Sequence, residues 1–377
     1  MNSLPTLRLG AQVPRPAGIG TSWRSILLLS VVPLIYLVVF VCHFAIEVPF
    51  FDQWEFVPQL EKMYRGTLTA GDIWAQHNEH RIFFPKLLML GLARVTHWSI
   101  KYELAVNIVL AAGILCLLAR QLRQTARALE WQGLLWTIPA ASVVVFSLSQ
   151  YENFLWGWQI AMWLNMLTVL GGIMLLGNPT FSPQRIAFAL LLGIVATYSF
   201  ADGILYWPIG FCLLLWGHRE RPARKTRKLP ETSRARQSNL ALTAWAMTSL
   251  LAVFFYFWHY KKPVDHPPLA AALKAPLDYV AYVFSYLGNP FGQISLGEGF
   301  PSALFALAWG FLGSAMFAWS LWFLLRRKAV RVELLLPYLG MSAYSVGSAV
   351  VTGLGRVGFG QEQALHPVTA LWSVHSG

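Results

Sequence analysis

The sequence predicts an all-α membrane protein that crosses the bilayer several times. Of its 377 residues, 56% are hydrophobic and only 12% are charged, and the mean hydropathy is +0.50. Soluble domains carry about a quarter charged residues, whereas apolar runs of about 20 residues, which recur along this chain, can cross a bilayer as helices. Only helices and closed barrels satisfy their backbone groups in lipid, and uninterrupted apolar runs exclude the alternating pattern of a barrel.

The positive charge follows the pattern of a membrane protein and not that of a nucleic-acid-binding protein. The formal net charge is +12, but the arginines and lysines cluster in short segments between apolar runs. Such segments are typical of cytoplasmic loops, because positive charge is retained on the cytoplasmic side of a membrane. The partner indicated by composition is therefore the lipid bilayer, and nucleic acid is excluded.

The charge pattern orders about nine spans along the chain. Arg8, Arg15 and Arg24 place the tail 1–24 in the cytoplasm before a first span near 25–46. The transmembrane domain, 25–353, then contains an outer loop 47–101, a cytoplasmic loop 218–238 and an outer loop 259–301, and is followed by an outer segment 354–377. The later spans are expected near 102–118, 132–149, 158–177, 185–200, 204–217, 239–258, 302–325 and 333–352.

One further apolar run, Pro85–Trp98, is expected to lie along the outer membrane surface. The run is short for a span and contains Arg94. If it crossed the membrane, Arg120, Arg123 and Arg127 would fall outside, against the positive-inside rule. The fold class is therefore an all-α polytopic bundle of about nine transmembrane helices with one outer juxtamembrane helix.

The densest polar segment of the chain, residues 50–86, follows the first span directly. We call it the polar segment. Asp52 and Glu55 stand beside Trp54 in "FFDQWEF", close to the membrane surface. A carboxylate there loses hydration and becomes a better base. The alternative is that these acids are ordinary solvated residues of an outer loop.

The motif "HNEHR" places His77 and His80 three residues apart in the same segment. Histidines at that spacing share a helix face and can bind a metal, but the motif lacks the HExxH pattern and two ligands make an incomplete site. A polar loop network is the favoured interpretation, no metal site is predicted, and a divalent cation stays open as a cofactor.

Two more polar islands are expected at the same side of the membrane. "SQYENFLWGWQ" contains Glu152, Trp156 and Trp158, and "YSFADGILYWP" contains Asp202. Ionisable groups in membrane segments are costly and are candidates for function, so these islands suggest a shared outward-facing cavity. Its aromatic residues suit stacking against sugar rings or lipid, although an ordinary interfacial aromatic belt is the alternative.

A late glycine-rich stretch, "TGLGRVGFG", formally contains GxGxxG. It follows a membrane helix and not a strand, so the dinucleotide-binding interpretation is rejected. Arg356 within it either snorkels to headgroups or holds a phosphate through charge-assisted hydrogen bonds.

The first third of the chain resembles the GT-C superfold of membrane glycosyltransferases. The matching pieces, in order, are "FFDQWEF", "RGTLTAGDIW" and "RIFFPKLLMLGL". Proteins of this group use polyprenyl-phosphate sugars and include protein O-mannosyltransferases and lipid A aminoarabinose transferases. The family's adjacent acids appear here as Asp52 and Glu55, two residues apart, and its Lys-Gly appears as Asp202-Gly203. Its members usually have more spans, so the resemblance implies a divergent or truncated member.

The resemblance implies transfer of a sugar from a polyprenyl-phosphate donor to a hydroxyl of a glycan, lipid or protein acceptor in the cell envelope. Asp52 would be the general base, assisted by Glu55 and by Glu152, which resembles the second-loop acid. The expected donor-phosphate residues are Arg81, Lys86 and Arg356, and the expected acceptor or sugar-binding residues are His77, His80, Trp54, Trp156, Trp158 and Asp202. The location implied is the plasma (inner) membrane, with the N-terminus cytoplasmic and the active face outside.

Two other functions stay open. The first is a transporter or lipid flippase whose acids couple to ions, and the second is a non-catalytic protein of envelope assembly. The acids lie near the predicted outer ends of spans and not at their centres, which favours the enzyme.

Overall fold

The computed structural model describes residues 22–177, 182–220, 231–263, 267–268, 273–296, 300–326 and 331–359. The tail up to residue 21, the middle of the expected cytoplasmic loop 218–238, parts of the expected outer loop 259–301 and the C-terminal segment from residue 360 lie outside these ranges. The predictions made for those parts stay predictions.

The described chain is built from α-helices joined by short 3-10 turns, and its ranges contain no β-strand. The helices are α1 (Trp23–Phe44), α2 (Val57–Tyr64), α3 (Ala70–Trp74), α4 (Phe83–Thr96), α5 (Ile100–Ala128), α6 (Thr137–Val145), α7 (Tyr151–Leu155), α8 (Ile160–Leu176), α9 (Pro183–Thr197), α10 (Tyr206–Glu220), α11 (Glu231–Phe257), α12 (Pro276–Leu296), α13 (Phe300–Arg326) and α14 (Val332–Arg356).

Seven helical segments in the described ranges are long and apolar enough to cross a membrane. They are Trp23–Phe44, Ile100–Ala128, Gln132–Leu155, Gly157–Leu176, Arg236–Phe257, Leu304–Arg326 and Val332–Arg356. This confirms an all-α polytopic membrane protein. The count of nine is not reached, because the other two expected spans, at Pro183–Thr197 and Ala201–Gly217, are shorter than a typical crossing helix.

The helix α8 lies at the centre of the described bundle and packs against α5, α9, α10 and α14. Neighbouring helices can approach α8 closely because small residues lie on its surface. A Cβ added to Gly172 on α8 would lie 2.1 Å from the hydroxyl oxygen of Tyr206, whose ring is fully buried between α8 and α9. Small residues at such crossings allow membrane helices to pack closely.

The helices α1 and α5 define two ends of the bundle. Where α1 ends and α5 begins, the Glu47 carboxylate accepts hydrogen bonds from the Ser99 hydroxyl and the Ile100 backbone N–H, each at 2.8 Å. We call this end the site end. Where α1 begins and α5 ends, Trp23 lies against Arg123; we call this the far end.

The run expected to lie along the outer surface forms a helix, α4, Phe83–Thr96; its position along the membrane surface stays a prediction. It ends at Thr96 and not at Trp98, because His97 and Trp98 both adopt left-handed backbone conformations that end the helix. One face of α4, including Met89, Leu90 and Ala93, packs in a hydrophobic cluster with α2 and α8.

The segment 259–301, expected to be an outer loop, contains the helix α12, which packs against α13 and α14. The contact between α12 and α13 is close because Gly288 faces Gly310. A Cβ at Gly310 would lie 1.8 Å from the Phe284 carbonyl oxygen. The glycines therefore permit the two backbones to meet, as in small-residue contacts between membrane helices.

Candidate functional site

The polar segment after α1 folds over the site end and brings two carboxylates to one histidine. His77 Nε2 lies 3.1 Å from Asp52 Oδ2, and His77 Nδ1 lies 2.9 Å from Glu55 Oε2. The imidazole is almost fully buried, Asp52 is partly buried and Glu55 is exposed at the rim. Each ring nitrogen of His77 therefore lies within hydrogen-bond distance of one carboxylate oxygen, so the imidazole bridges the two acids.

Asp52 and Glu55 are carried by a 3-10 turn, Phe51–Phe56, whose shape is fixed by Gln53. The side-chain oxygen of Gln53 accepts a bond from the Phe50 backbone N–H at 3.0 Å, and its amide nitrogen donates to Glu103 on α5 at 2.7 Å. Phe51 has a φ of +42°, which is rare for a bulky residue. Such strain costs about 1–3 kcal/mol and clusters at functional sites.

His77 is positioned by a tight hairpin turn. His77 and His80 exchange backbone N–H to carbonyl bonds of 2.9 and 2.8 Å around Asn78 and Glu79. Asn78 has a φ of +46°, a left-handed conformation that asparagine tolerates better than most residues. The "HNEH" motif is therefore a turn and not a helix, so its histidines do not share a helix face.

A cleft opens above this triad. It is lined by Asp52, His77, Asn78, His80, Ile82, Trp156, Trp158, Gln159, Ala161 and Phe200. The enclosed space is about 20 Å³, which is room for about one water molecule. A sugar can enter only if the cleft widens.

His80 is buried in the wall of the cleft as a neutral imidazole. Its ring stacks on Phe200 with centroids 4.2 Å apart, and its Nδ1 accepts a bond from the Ala201 N–H at 3.1 Å. Burial lowers the pKa of His80 to about 4, although the nearby Glu79 charge opposes the change. His80 therefore joins the polar segment to the start of the Ala201–Leu205 turn.

Lys86 lies buried on α4, with its ammonium donating to the Ala75 carbonyl at 2.9 Å. Burial lowers the pKa of Lys86 to about 8, while the Glu55 charge favours the protonated form. Lys86 is thus a cation whose charge interacts with the Asp52–Glu55 turn.

Arg81 makes structural contacts with the end of α11. Its guanidinium donates to the carbonyls of Tyr256 and Trp258, and to the Trp74 carbonyl at 3.1 Å. These bonds satisfy carbonyls that a helix C-terminus leaves without intrahelical partners. Burial lowers the pKa of Arg81 from its ordinary value.

Arg356 at the end of α14 is also buried, and its Nη2 lies 2.9 Å from Glu79 Oε1. Asp202 is buried close enough to this pair to interact electrostatically with both groups. Tyr256 donates its hydroxyl to the Glu79 backbone carbonyl at 2.6 Å. Glu79 therefore connects the polar segment to both α11 and α14.

The predicted site residues divide into three groups. The structure brings together around the cleft Asp52, Glu55, His77, His80, Trp156 and Trp158. Lys86 lies close enough to Glu55 to interact with it electrostatically. The second group interacts with Glu79 or α11. Arg81 bonds to the end of α11, Arg356 pairs with Glu79, and Asp202 interacts electrostatically with both members of that pair. Trp54 is 59% exposed, and Glu152 contacts Tyr151 at 3.3 Å; neither residue lines the cleft.

Three further residues belong to the site but were not predicted from sequence. Glu79 pairs with Arg356, and Gln53 and Glu103 hold the Asp52 turn. Glu103 is 1% exposed although it lies in the first turn of an apolar helix. The sequence signal for Glu103 is an acidic residue within an apolar helix, because an ionisable side chain there costs free energy to bury and is a candidate for function.

The described residues contain no group of three or more histidine, cysteine, aspartate or glutamate side chains arranged to hold a metal ion. Asp52 and Glu55 each contact His77, through different ring nitrogens.

No protein-family model, curated protein or solved structure matches this chain. The resemblance to the GT-C superfold therefore stays a prediction from motifs, and the functional argument rests on the residues themselves.

Proposed function

We propose that this protein is a membrane glycosyltransferase that moves a sugar from a polyprenyl-phosphate donor to a hydroxyl of a glycan, lipid or protein in the cell envelope. The observation that carries the proposal is the contact of His77 with both Asp52 and Glu55 in a cleft walled by Trp156 and Trp158. A positioned carboxylate serves as a base, and the tryptophan faces suit a sugar ring.

In the proposed reaction, Asp52 takes the proton of the acceptor hydroxyl. The hydroxyl oxygen forms a bond to the anomeric carbon as the bond from that carbon to the phosphate oxygen breaks, so the configuration is inverted. Polyprenyl phosphate leaves with the bonding electrons. His77 holds Asp52 through Oδ2 and keeps the carboxylate oriented.

Charge develops on the departing phosphate, and cations already in place lower the barrier. Lys86 and Arg356 are the proposed phosphate residues, because both are buried cations near the cleft segment. Phosphate would compete with Glu79 for Arg356 and with the Ala75 carbonyl for Lys86. Arg81 is the weakest of the three phosphate candidates, since its guanidinium supports the end of α11.

The proposed setting is the plasma (inner) membrane, with the N-terminus in the cytoplasm and the site end outside. The shorter helices, α9 and α10, would complete nine crossings, and α4 would lie along the outer surface. The supporting observation is that Arg120, Arg123 and Arg127 lie together near the C-terminus of α5, away from the site end.

The test is sugar transfer by Asp52→Asn in membranes supplied with a polyprenyl-phosphate sugar. Asparagine is nearly isosteric but does not accept a proton at neutral pH, so transfer should fall by about 10²–10⁴-fold. Expression and membrane insertion should stay at wild-type levels. Glu61→Gln, which changes an exposed carboxylate paired with Arg65 on the surface, is the matched carboxylate control.

If Asp52→Asn keeps full sugar transfer while Glu55→Gln or Glu152→Gln abolishes it, the general base is the acid whose substitution abolishes transfer. Full transfer by all three variants would reject catalysis by this segment.

A transporter or lipid flippase is the second candidate. The observation that favours it is the burial of the acids Glu103 and Asp202, because buried acids in membrane helices commonly couple transport to ions. Under that function, Glu103→Gln would abolish substrate movement across vesicle membranes while Asp52→Asn would not.

A further inference from the structure

A second polar cavity lies at the far end of the bundle, where α1, α5 and the Gln132–Trp136 turn meet. Its volume is about 200 Å³, and it is lined by Trp23, Ile26, Arg123, Arg127, Gln132 and Leu135. Two guanidinium groups, one amide and one indole thus surround a space with an apolar floor of Ile26 and Leu135.

Both arginines of this cavity lie in the last turns of α5, and both line the space. The acid nearest to them in sequence is Glu130, three residues after Arg127, and it does not line the cavity. Arg123 is held in place by Trp23, whose ring centroid lies 4.3 Å from the guanidinium carbon. A cation–π contact of this kind orients the guanidinium. The cavity is therefore a preformed cationic site.

The depth of the cavity matches that of lipid phosphates. Glu103 lies at the site end of α5, and Arg123 follows it by 20 positions on the same unbroken helix. At about 1.5 Å per residue the two are about 30 Å apart, which is about the thickness of the hydrocarbon core. Arg123 and Arg127 therefore lie at the level of the headgroups on the opposite side of the membrane from the site.

We propose that this cavity binds the phosphate of an anionic glycerophospholipid. The guanidinium groups of Arg123 and Arg127 would hold the phosphate oxygens, and Gln132 would donate to the headgroup. The first acyl carbons would lie over Ile26 and Leu135. Basic cavities between membrane helices recognise lipid headgroups in this way, and arginine suits phosphate because its donors form a planar fork.

The test is native mass spectrometry of the whole protein in detergent with dioleoyl phosphatidylglycerol or dioleoyl phosphatidylcholine, which share acyl chains. One phosphatidylglycerol should be retained in preference to phosphatidylcholine. Arg123→Gln and Arg127→Gln should each weaken retention about tenfold, which is about 1.4 kcal/mol, since each removes a charge-assisted hydrogen bond to the phosphate. Arg120→Gln is the matched control, because Arg120 lies on the same helix but does not line the cavity, and it should leave retention within about twofold.

Equal retention of the two lipids by the wild-type protein would overturn the proposal, and so would an equal loss in Arg120→Gln. A wild-type competition separates lipid from soluble phosphate without any substitution. Millimolar inorganic phosphate should leave phosphatidylglycerol bound. Displacement of the lipid by inorganic phosphate would assign the cavity to a soluble anion and reject the lipid assignment.

Discussion

Lys86 shows how burial changes the chemistry of a single residue in this protein. Lys86 is 2% exposed, and its ammonium bonds to one backbone carbonyl. The pKa of Lys86 falls from 10.5 to about 8 because burial disfavours the charged form. At about 1.36 kcal/mol per pH unit, that change corresponds to roughly 3 kcal/mol. The charge is thus expensive to keep, which is more consistent with a functional cation than with a solvated one.

We predict that Lys86→Met changes stability in a pH-dependent way. Below pH 8 the folded protein carries the full cost of the buried charge, which disappears as the pH rises from 8 towards 10.5. Relative to the wild type, the variant should therefore be more stable at pH 7 than at pH 10, by up to roughly 3 kcal/mol in the free energy of unfolding. The lost bond to Ala75 is common to both pH values and cancels in this comparison.

The measurement is thermal unfolding in detergent at the two pH values. Lys101→Met removes an exposed lysine and serves as the control. A stability difference between Lys86→Met and the wild type that does not vary with pH would show that Lys86 is not desolvated.

Sequence could identify the acids and histidines of the site but not the contacts of its arginines. Asp52 and His77 stand out because polar residues are rare in this chain, and they meet in the structure. Arg81 stands out equally, yet it bonds to backbone carbonyls at the end of α11, 175 residues away. Every residue has a backbone carbonyl, so the sequence does not show which carbonyls an arginine contacts. No local pattern therefore distinguishes such a contact from phosphate binding.

At the scale of elements, the 3-10 turn that carries Asp52 depends on a close approach to Gly157. A Cβ at Gly157 would lie 2.1 Å from Glu103 Oε2 and 2.7 Å from the Gln53 amide nitrogen. No side chain larger than that of glycine fits while the Gln53–Glu103 bond is in place. The turn Gly157–Gln159 therefore fixes where the Asp52 turn can dock.

We predict that Gly157→Ala destabilises the protein by about 1–3 kcal/mol, the usual cost of overpacking, and also reduces sugar transfer because the Asp52 turn is displaced. Gly91→Ala on α4 is the matched control. A Cβ at Gly91 meets nothing within 4 Å, so alanine should be neutral or stabilise the helix by up to about 1 kcal/mol. Thermal unfolding in detergent and the transfer assay would report both effects. Equal stability of the two variants would mean that the Gln53–Glu103 contact does not constrain the turn.

Element prediction succeeded where apolar length decided the outcome and failed where composition was mixed. The long spans at α1 and α5 were predicted because their apolar runs are long enough to cross a membrane. The helix α12 was not predicted, since Pro290 and several tyrosines and glycines give its sequence the composition of a loop. It is a helix in the structure because tyrosines of α12, such as Tyr282 and Tyr286, are buried against α14. Tertiary packing of this kind is not visible in local composition.

At the scale of the whole molecule, the proposed orientation assigns opposite sides of the membrane to the two ends of α5. We predict that, in a variant without Cys42, Cys116 and Cys212, Lys101→Cys reacts with a membrane-impermeant maleimide in intact cells. Gln124→Cys should react only after the membrane is made permeable. Both positions are exposed in the structure, so a difference in labelling reports the side and not burial. The reverse pattern would place the N-terminus and the arginine cluster outside.

The contacts of Glu79 also bear on the order in which the protein is made. Glu79 is synthesised early, but Arg356 follows it by 277 residues. At about 5–20 residues per second, the ribosome needs roughly 15–55 s to cover that distance. During this interval the polar segment has already been translated, but its last partner does not yet exist. The site is therefore completed only when the final described helix has entered the membrane, so a nascent chain arrested earlier would be anchored in the bilayer but not yet assembled.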